Sequence, residues 1–231
     1  MPDTDSAAQI DAVRSGIRRR SLFKFAGATV LATTAAGLLP RSVLAQRPGG
    51  VSLGTGETAV LNYAFALEQL EAEFYTLVMK SPYAGMNSRE RQVLTDIRDH
   101  EIAHTDFYRA ALGSSGIPKL QFNWSAVNFG DRTSVLTTAR TFEDTGVSAY
   151  NGAGQLLRDP QHLTIAGKIV SVEARHAAII HDLLEPRGSS FAGPGVIDDF
   201  GLDLAARPSE VMKKVAPFIV TPIDSSGLPK A

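Results

Sequence analysis

Six side chains suited to metal ligation recur in this sequence as two copies of one pattern. Glu68 is followed seven residues later by Tyr75, and then comes Glu101-Ile102-Ala103-His104. Glu143 is followed seven residues later by Tyr150, and then comes Glu173-Ala174-Arg175-His176. The lone Glu and the paired Glu lie 33 residues apart in the first copy and 30 in the second. With 10 Glu and 5 His in 231 residues, chance supplies roughly 0.2 Glu-x-x-His matches. Two matches, each trailing a Glu-x6-Tyr, form a specific set even though each piece alone is weak. On a helix, residues i and i+3 share a face, so each Glu-x-x-His aims two ligands at one point. Residue i+7 returns to that face, which puts each Tyr on the same stripe. The stripe is otherwise apolar: Leu61 and Ala64 accompany Glu68, Leu94 and Ile97 accompany Glu101, Ala139 and Ala153 accompany Glu143, and Ala166, Ile169 and Ile180 accompany Glu173. Four carboxylates and two imidazoles are thus expected inside a core. Unpaired, they would cost several kcal/mol each, and two divalent cations would neutralise the carboxylates.

Other residues compete for a role. Glu71 faces inward one turn from Glu68, either behind the ligands as an acceptor or as an alternative ligand. Glu73 is expected to point to solvent, Arg98 and Arg175 to form surface ion pairs, and His162 and His181 to be surface or rim residues. Trp124 is expected to pack a loop onto the core. His100-Glu101-Ile102-Ala103-His104 also matches H-E-x-x-H, in which His100 and His104 would bind zinc and Glu101 would act as the base of a hydrolase. That reading leaves the second Glu-x-x-His and both Glu-x6-Tyr pairs unexplained.

The elements that must position these residues are helices. Apolar residues recur at helical spacing from about Thr58 to Lys80, from Ser88 to Leu112, from about Ser134 to Leu157, and from Pro160 to Leu184. Ser81-Pro82 with Gly85, Gly113 with Gly116-Ile117-Pro118, and Asp159-Pro160 mark the breaks. Two short connections and one long one, between the second and third helices, make an all-α four-helix bundle with a single long crossover. Residues 46–58 read as a Gly-rich linker and 59–186 as the bundle. Residues 187–231 read as an irregular extension with one short helix, Ser209 to Phe218.

At Leu61-Asn62-Tyr63-Ala64, Leu67 to Tyr75, Phe142-Glu143-Asp144 to Ala149-Tyr150, and Glu173 to Ala177, the chain resembles the ferritin-like superfamily of di-iron carboxylate proteins. Within it, the chain is similar to the secreted, desiccation-related ferritin-like family. The resemblance covers roughly 59–186. It implies Glu68, Glu101, His104, Glu143, Glu173 and His176 as metal ligands, Glu101 and Glu173 as bridges, and Tyr75 and Tyr150 as hydrogen-bond donors behind them. Oxygen-rich ligation with two imidazoles suits two iron or manganese ions. The activity implied is oxidation of Fe(II) or consumption of peroxide, with dioxygen or peroxide as partner. The alternative is a metal-binding or stress-structural protein without turnover.

Composition narrows the rest. The chain has no cysteine, which excludes thiolate zinc sites, Cys-held iron–sulfur clusters and disulfides. Its 23 basic and 24 acidic residues lack the basic excess of a nucleic-acid binder. Residues 1–45 read as a twin-arginine-type export signal: Arg18-Arg19-Arg20-Ser21-Leu22-Phe23-Lys24, an apolar run from Phe25 to Leu39, and the small-residue site Val43-Leu44-Ala45. Cleavage after Ala45 removes six basic residues (Arg14, Arg18, Arg19, Arg20, Lys24, Arg41) and three acidic ones (Asp3, Asp5, Asp11). The expected product is a periplasmic or secreted protein of 17 basic and 21 acidic residues, with no membrane segment after signal removal. Replacing Arg19 and Arg20 together by Lys is expected to hold the precursor in the cytoplasm. Unimpaired export in a cell-fractionation experiment would remove the twin-arginine assignment.

Overall fold

The computed structural model describes residues 50–229; the expected export signal, the first residues of the expected linker, and Lys230 and Ala231 lie outside the described residues. Four long helices dominate: α1 (Gly56–Lys80), α2 (Ser88–Leu112), α3 (Arg132–Gly154) and α4 (Pro160–Leu184), followed by the short α5 (Pro208–Val215). Helix α1 packs along α2, and α3 along α4, while residues 113–131 cross between the two pairs. No helix among the described residues is long and apolar enough to cross a membrane.

The helix ends are set by local chemistry. Asn87 caps α2 by accepting from the Glu90 N–H at 2.9 Å, and Glu90 accepts in return from the Asn87 N–H at 3.1 Å. Pro160 opens α4 after the Asp159 cap, whose carboxylate accepts from the Gln161 N–H at 2.8 Å. Helix α3 departs from expectation at both ends. It begins at Arg132 rather than Ser134 because Asp131 is the cap, accepting from the Ser134 N–H at 2.6 Å. It ends at Gly154 rather than Leu157, since Gly152 and Gly154 weaken the last turn and the N–H groups of Leu156 and Leu157 bond the Ala153 and Gly154 carbonyls instead.

The segment expected as a linker is built structure from residue 50 onward. Strand β1 (Val51–Ser52) pairs in parallel with β2 (Ile223–Asp224), Val51 opposite Ile223. The Asn62 amide donates to the carbonyls of Leu53 and Ser115 and its oxygen accepts from the Ile117 N–H, so one side chain ties the entry segment to the crossover. Helix α1 therefore starts at Gly56, inside the expected linker, and the glycines there serve positive-φ turns at Gly50, Gly54 and Gly56.

The crossover and the C-terminal extension close one flank of the bundle. Trp124 sits 5.8 Å from Phe74 and 6.3 Å from Phe218, ring centroid to centroid, and Phe218 meets Phe142 edge-on at 4.9 Å. Trp124 thus packs its loop onto the core, as expected. The extension is anchored on α3, where the Ala206 N–H donates to the Ser148 carbonyl at 2.9 Å. Close approach there depends on Gly152: a Cβ on it would lie 1.9 Å from the Ala206 carbonyl oxygen. Gly152→Ala gains about 1 kcal/mol of helix propensity yet must displace this backbone. A net loss of about 1–3 kcal/mol is expected from such overpacking, measured by urea denaturation. A gain in stability would show that the extension does not rest on α3.

Candidate metal centre

Each helix contributes from its middle turns. Glu68 and Tyr75 come from α1, Glu101 and His104 from α2, Glu143 and Tyr150 from α3, and Glu173 and His176 from α4. The four carboxylates are fully buried, His176 is nearly so, and His104 is partly exposed. Ligand atoms gather in two overlapping groups: Glu68, Glu101, His104 and Glu173, and Glu101, Glu143, Glu173 and His176. Glu101 and Glu173 belong to both. His104 Nδ1 lies 3.0 Å from Glu173, 3.2 Å from Glu68 and 3.6 Å from Glu101. His176 Nδ1 lies 2.9 Å from Glu101, 3.3 Å from Glu173 and 3.5 Å from Glu143. The tyrosine hydroxyls cross between copies: Tyr75 donates to Glu143 at 2.5 Å, and Tyr150 donates to Glu68. These reciprocal contacts require α1 and α3 to run antiparallel, and the imidazole contacts require the same of α2 and α4. The sequence repeat has become an approximate two-fold axis through the site.

Hydrogen bonding does not account for this gathering. Both oxygens of Glu101, both of Glu173, Oε2 of Glu143 and Nδ1 of His176 are buried with no hydrogen-bond partner among the described residues. They stand at ion-pair distance from one another without hydrogen-bond geometry. Such atoms are costly unless a cation compensates them.

Electrostatics follow from burial and crowding. Burial pushes the Glu143 carboxyl up to about 7, against the pull of His176. Burial and the charge of Glu173 hold Glu101 well above the usual carboxylate range. Burial, then the charges of Glu101, Glu173 and Glu143, do the same to Glu71. Glu173 goes the other way. Burial would raise it, but His104 and His176 outweigh that and hold it at about 2. Burial alone would lower both imidazoles, yet the carboxylates around them raise His104 to about 12 and His176 well above its ordinary value.

All six residues read from the repeat as ligands meet here, with Tyr75 and Tyr150 directly behind them. Glu71 is buried beside them but belongs to neither ligand group. Two other expectations change, and His100 bears on the competing zinc motif. Glu73 does not simply face solvent: it is half-buried, accepts from Trp124 Nε1 at 3.2 Å and lies 3.5 Å from Lys119. His181 is buried and bonded to the Asp144 carboxylate at 2.9 Å, because the extension and α3 cover that turn of α4. His100 is exposed and joins no ligand group with His104; its Nδ1 instead lies 2.9 Å from His176 Nε2, so H-E-x-x-H zinc geometry is not formed. Arg98 pairs with Asp99 and Arg175 bonds Ser171, both at the surface, and half-buried His162 lies near Glu57. Tyr108 escaped the sequence reading. Its hydroxyl bonds that of Tyr150 at 2.9 Å, and its signal was a third Glu-x6-Tyr, Glu101 to Tyr108.

A family model described as a ferritin-like domain matches residues 56–186, the span of the four helices. The chain belongs to the ferritin-like domain family. No curated protein matches it. The carboxylate and imidazole cluster of this ferritin-like domain fits the binding of metal ions. Its two halves are not identical, however. Position 71 is Glu where its repeat partner, 146, is Gly. Likewise Tyr108 corresponds to Ile180, and His100 to Val172.

Protons and cations compete for these atoms. Without metal, Glu143 takes up a proton on folding between its ordinary value of 4.5 and about 7, so its contribution is full in acid and lost as pH rises through about 7. His104 does the same between 6.5 and about 12. Glu173 acts oppositely, but only below 4.5. Chelator-treated protein is therefore expected to lose stability steadily from pH 5 to 8. Metal-loaded protein should show little of that loss and weaken on acidification instead. Thermal melts with and without chelator check this, and identical midpoints and slopes would remove the metal site.

Proposed function

We propose that the chain is an exported ferritin-like protein that holds two iron or manganese ions and oxidises Fe(II) or consumes peroxide. We place it in the secreted, desiccation-related branch of the family, protecting cells during drying or oxidative stress. One observation carries the reading: two groups of ligand atoms share Glu101 and Glu173, and six buried atoms of Glu101, Glu143, Glu173 and His176 have no hydrogen-bond partner among the described residues.

Glu68 and His104 would hold one ion, Glu143 and His176 the other, with Glu101 and Glu173 reaching both. A pair of such ions held there would supply two-electron redox chemistry toward dioxygen or peroxide. The chain's own groups prepare the site. Tyr75 donates to Oε1 of Glu143, which leaves Oε2, the oxygen without a partner, free to face a cation. Tyr150 donates to Oε1 of Glu68 and leaves Oε2 toward His104. Burial and the neighbouring carboxylates hold the Glu71 carboxyl, beside the ligands, well above the usual carboxylate range. An apolar cavity of about 20 Å³ next to Tyr63, Tyr108 and Tyr150 has room for a molecule about the size of water.

Metal analysis of purified mature protein is expected to give two iron or manganese ions per chain, with turnover in an aerobic Fe(II) oxidation or a peroxide consumption assay. Glu101→Gln removes a carboxylate that both groups share, so it should reduce occupancy of both positions and abolish turnover. Two bound ions without turnover in either assay would leave the non-catalytic, metal-binding reading. One zinc per chain would favour a hydrolase.

A further inference from the structure

Building on the dinuclear reading, we infer that His100 is a positioning residue for His176 and makes the two metal positions unequal, the one at His176 being the tighter. His176 presents Nδ1 to Glu101, Glu143 and Glu173. A ligand needs its lone pair there, so its ring proton must sit on Nε2. Nε2 lies 2.9 Å from His100 Nδ1, and the two rings are parallel within 8° with centroids 5.2 Å apart. The N···N distance and the two ring radii nearly exhaust that separation. The nitrogens therefore lie along the line of centres, which is an in-plane hydrogen bond and not a face-to-face stack. His176 Nε2–H donates and His100 Nδ1 accepts, so His100 carries its own proton on the solvent-side Nε2. The bond fixes both the tautomer and the orientation of the inner ring.

The other half of the site lacks this support. His104 aims Nδ1 at its carboxylates in the same way, but its Nε2 has no hydrogen-bond partner among the described residues. The repeat explains why: the residue preceding Glu173, which corresponds to His100, is Val172, and a valine accepts nothing. Two ligand sets of the same composition thus differ in one imidazole held from behind and one left to solvent.

The test is a cobalt(II) titration of the mature protein after chelation and dialysis, followed by calorimetry and by cobalt absorption. The native protein should bind in two resolved steps. His100→Leu should weaken the tighter step by about 10–100-fold and leave the weaker one unchanged. His100→Asn places an acceptor oxygen near the lost Nδ1 and should restore most of the affinity. Because His100 is exposed, both metal-free variants should melt with the native protein. In zinc-loaded native protein, nitrogen-edited spectra should place the His176 proton on Nε2. The inference is overturned if His100→Leu leaves both steps native, or if Leu and Asn weaken both steps alike. A native protein that binds no cobalt overturns the dinuclear reading itself, an outcome distinct from native binding that is insensitive to His100.

Discussion

Four carboxylates forced together in an apolar core are the constraint from which the rest of this structure follows. Each carries a desolvation cost and repels the others. The chain's own compensation is partial: two imidazoles sit among them, two tyrosine hydroxyls donate to the outer pair, and burial pushes Glu101 and Glu71 toward their neutral forms. What is left over is the set of gathered oxygens that no donor among the described residues meets. A helical bundle tolerates such a site because its backbone polar groups are satisfied within each helix, so the unmet polarity is confined to side chains.

Holding that arrangement is the work of the helix ends, well away from the ligands. Glu90 caps α2 and also accepts from Arg132 Nε at 2.7 Å, while the same guanidinium donates to the Leu183 carbonyl at 2.6 Å. Three helix termini meet on one side chain. At the opposite end, Glu57 accepts from the backbone N–H groups of Arg158 and Asp159, joining the start of α1 to the start of α4. With both ends clamped, mid-helix positions are fixed in register, which is what brings Tyr75 to Glu143 and Tyr150 to Glu68. The aromatic cluster of Phe74, Trp124, Phe142 and Phe218 covers one flank. By keeping water away it sustains the low-dielectric setting in which the shifts at Glu101 and Glu143 arise.

Most of this frame was legible in the residues. Helix order, the single long crossover and the gathering of six ligands rest on periodicity and on a repeat that short-range geometry converts directly into one face per helix. What escaped was decided by contacts distant in sequence. Residues 50–58 read as a spacer because glycine-rich composition signals flexibility, whereas their partners, Ile223, Asp224 and Gly227, lie far along the chain. His181 looked peripheral because its partner, Asp144, is on another helix and its cover is the extension. Helix phase alone turns Glu73 toward solvent, and phase cannot see a crossover loop folding back with Trp124 and Lys119. His100 was visible only as part of a motif that pointed to different chemistry.

The two-fold pattern of ligands coexists with surroundings that are not two-fold, and packing explains at least one such difference. Glu71 and Gly146 occupy equivalent positions of the repeat, and the antiparallel register of α1 and α3 sets them face to face: a Cβ on Gly146 would lie 3.2 Å from Glu71 Oε1. Glutamate at both positions would place a further carboxyl where a single one already fills the space. Glycine at both would leave a void beside the ligands and remove the carboxyl that fills it. One glutamate facing one glycine satisfies volume and charge together. A symmetric ligand set in a close-packed core therefore demands asymmetry in the layer around it, because two facing copies of the same large side chain cannot share one space.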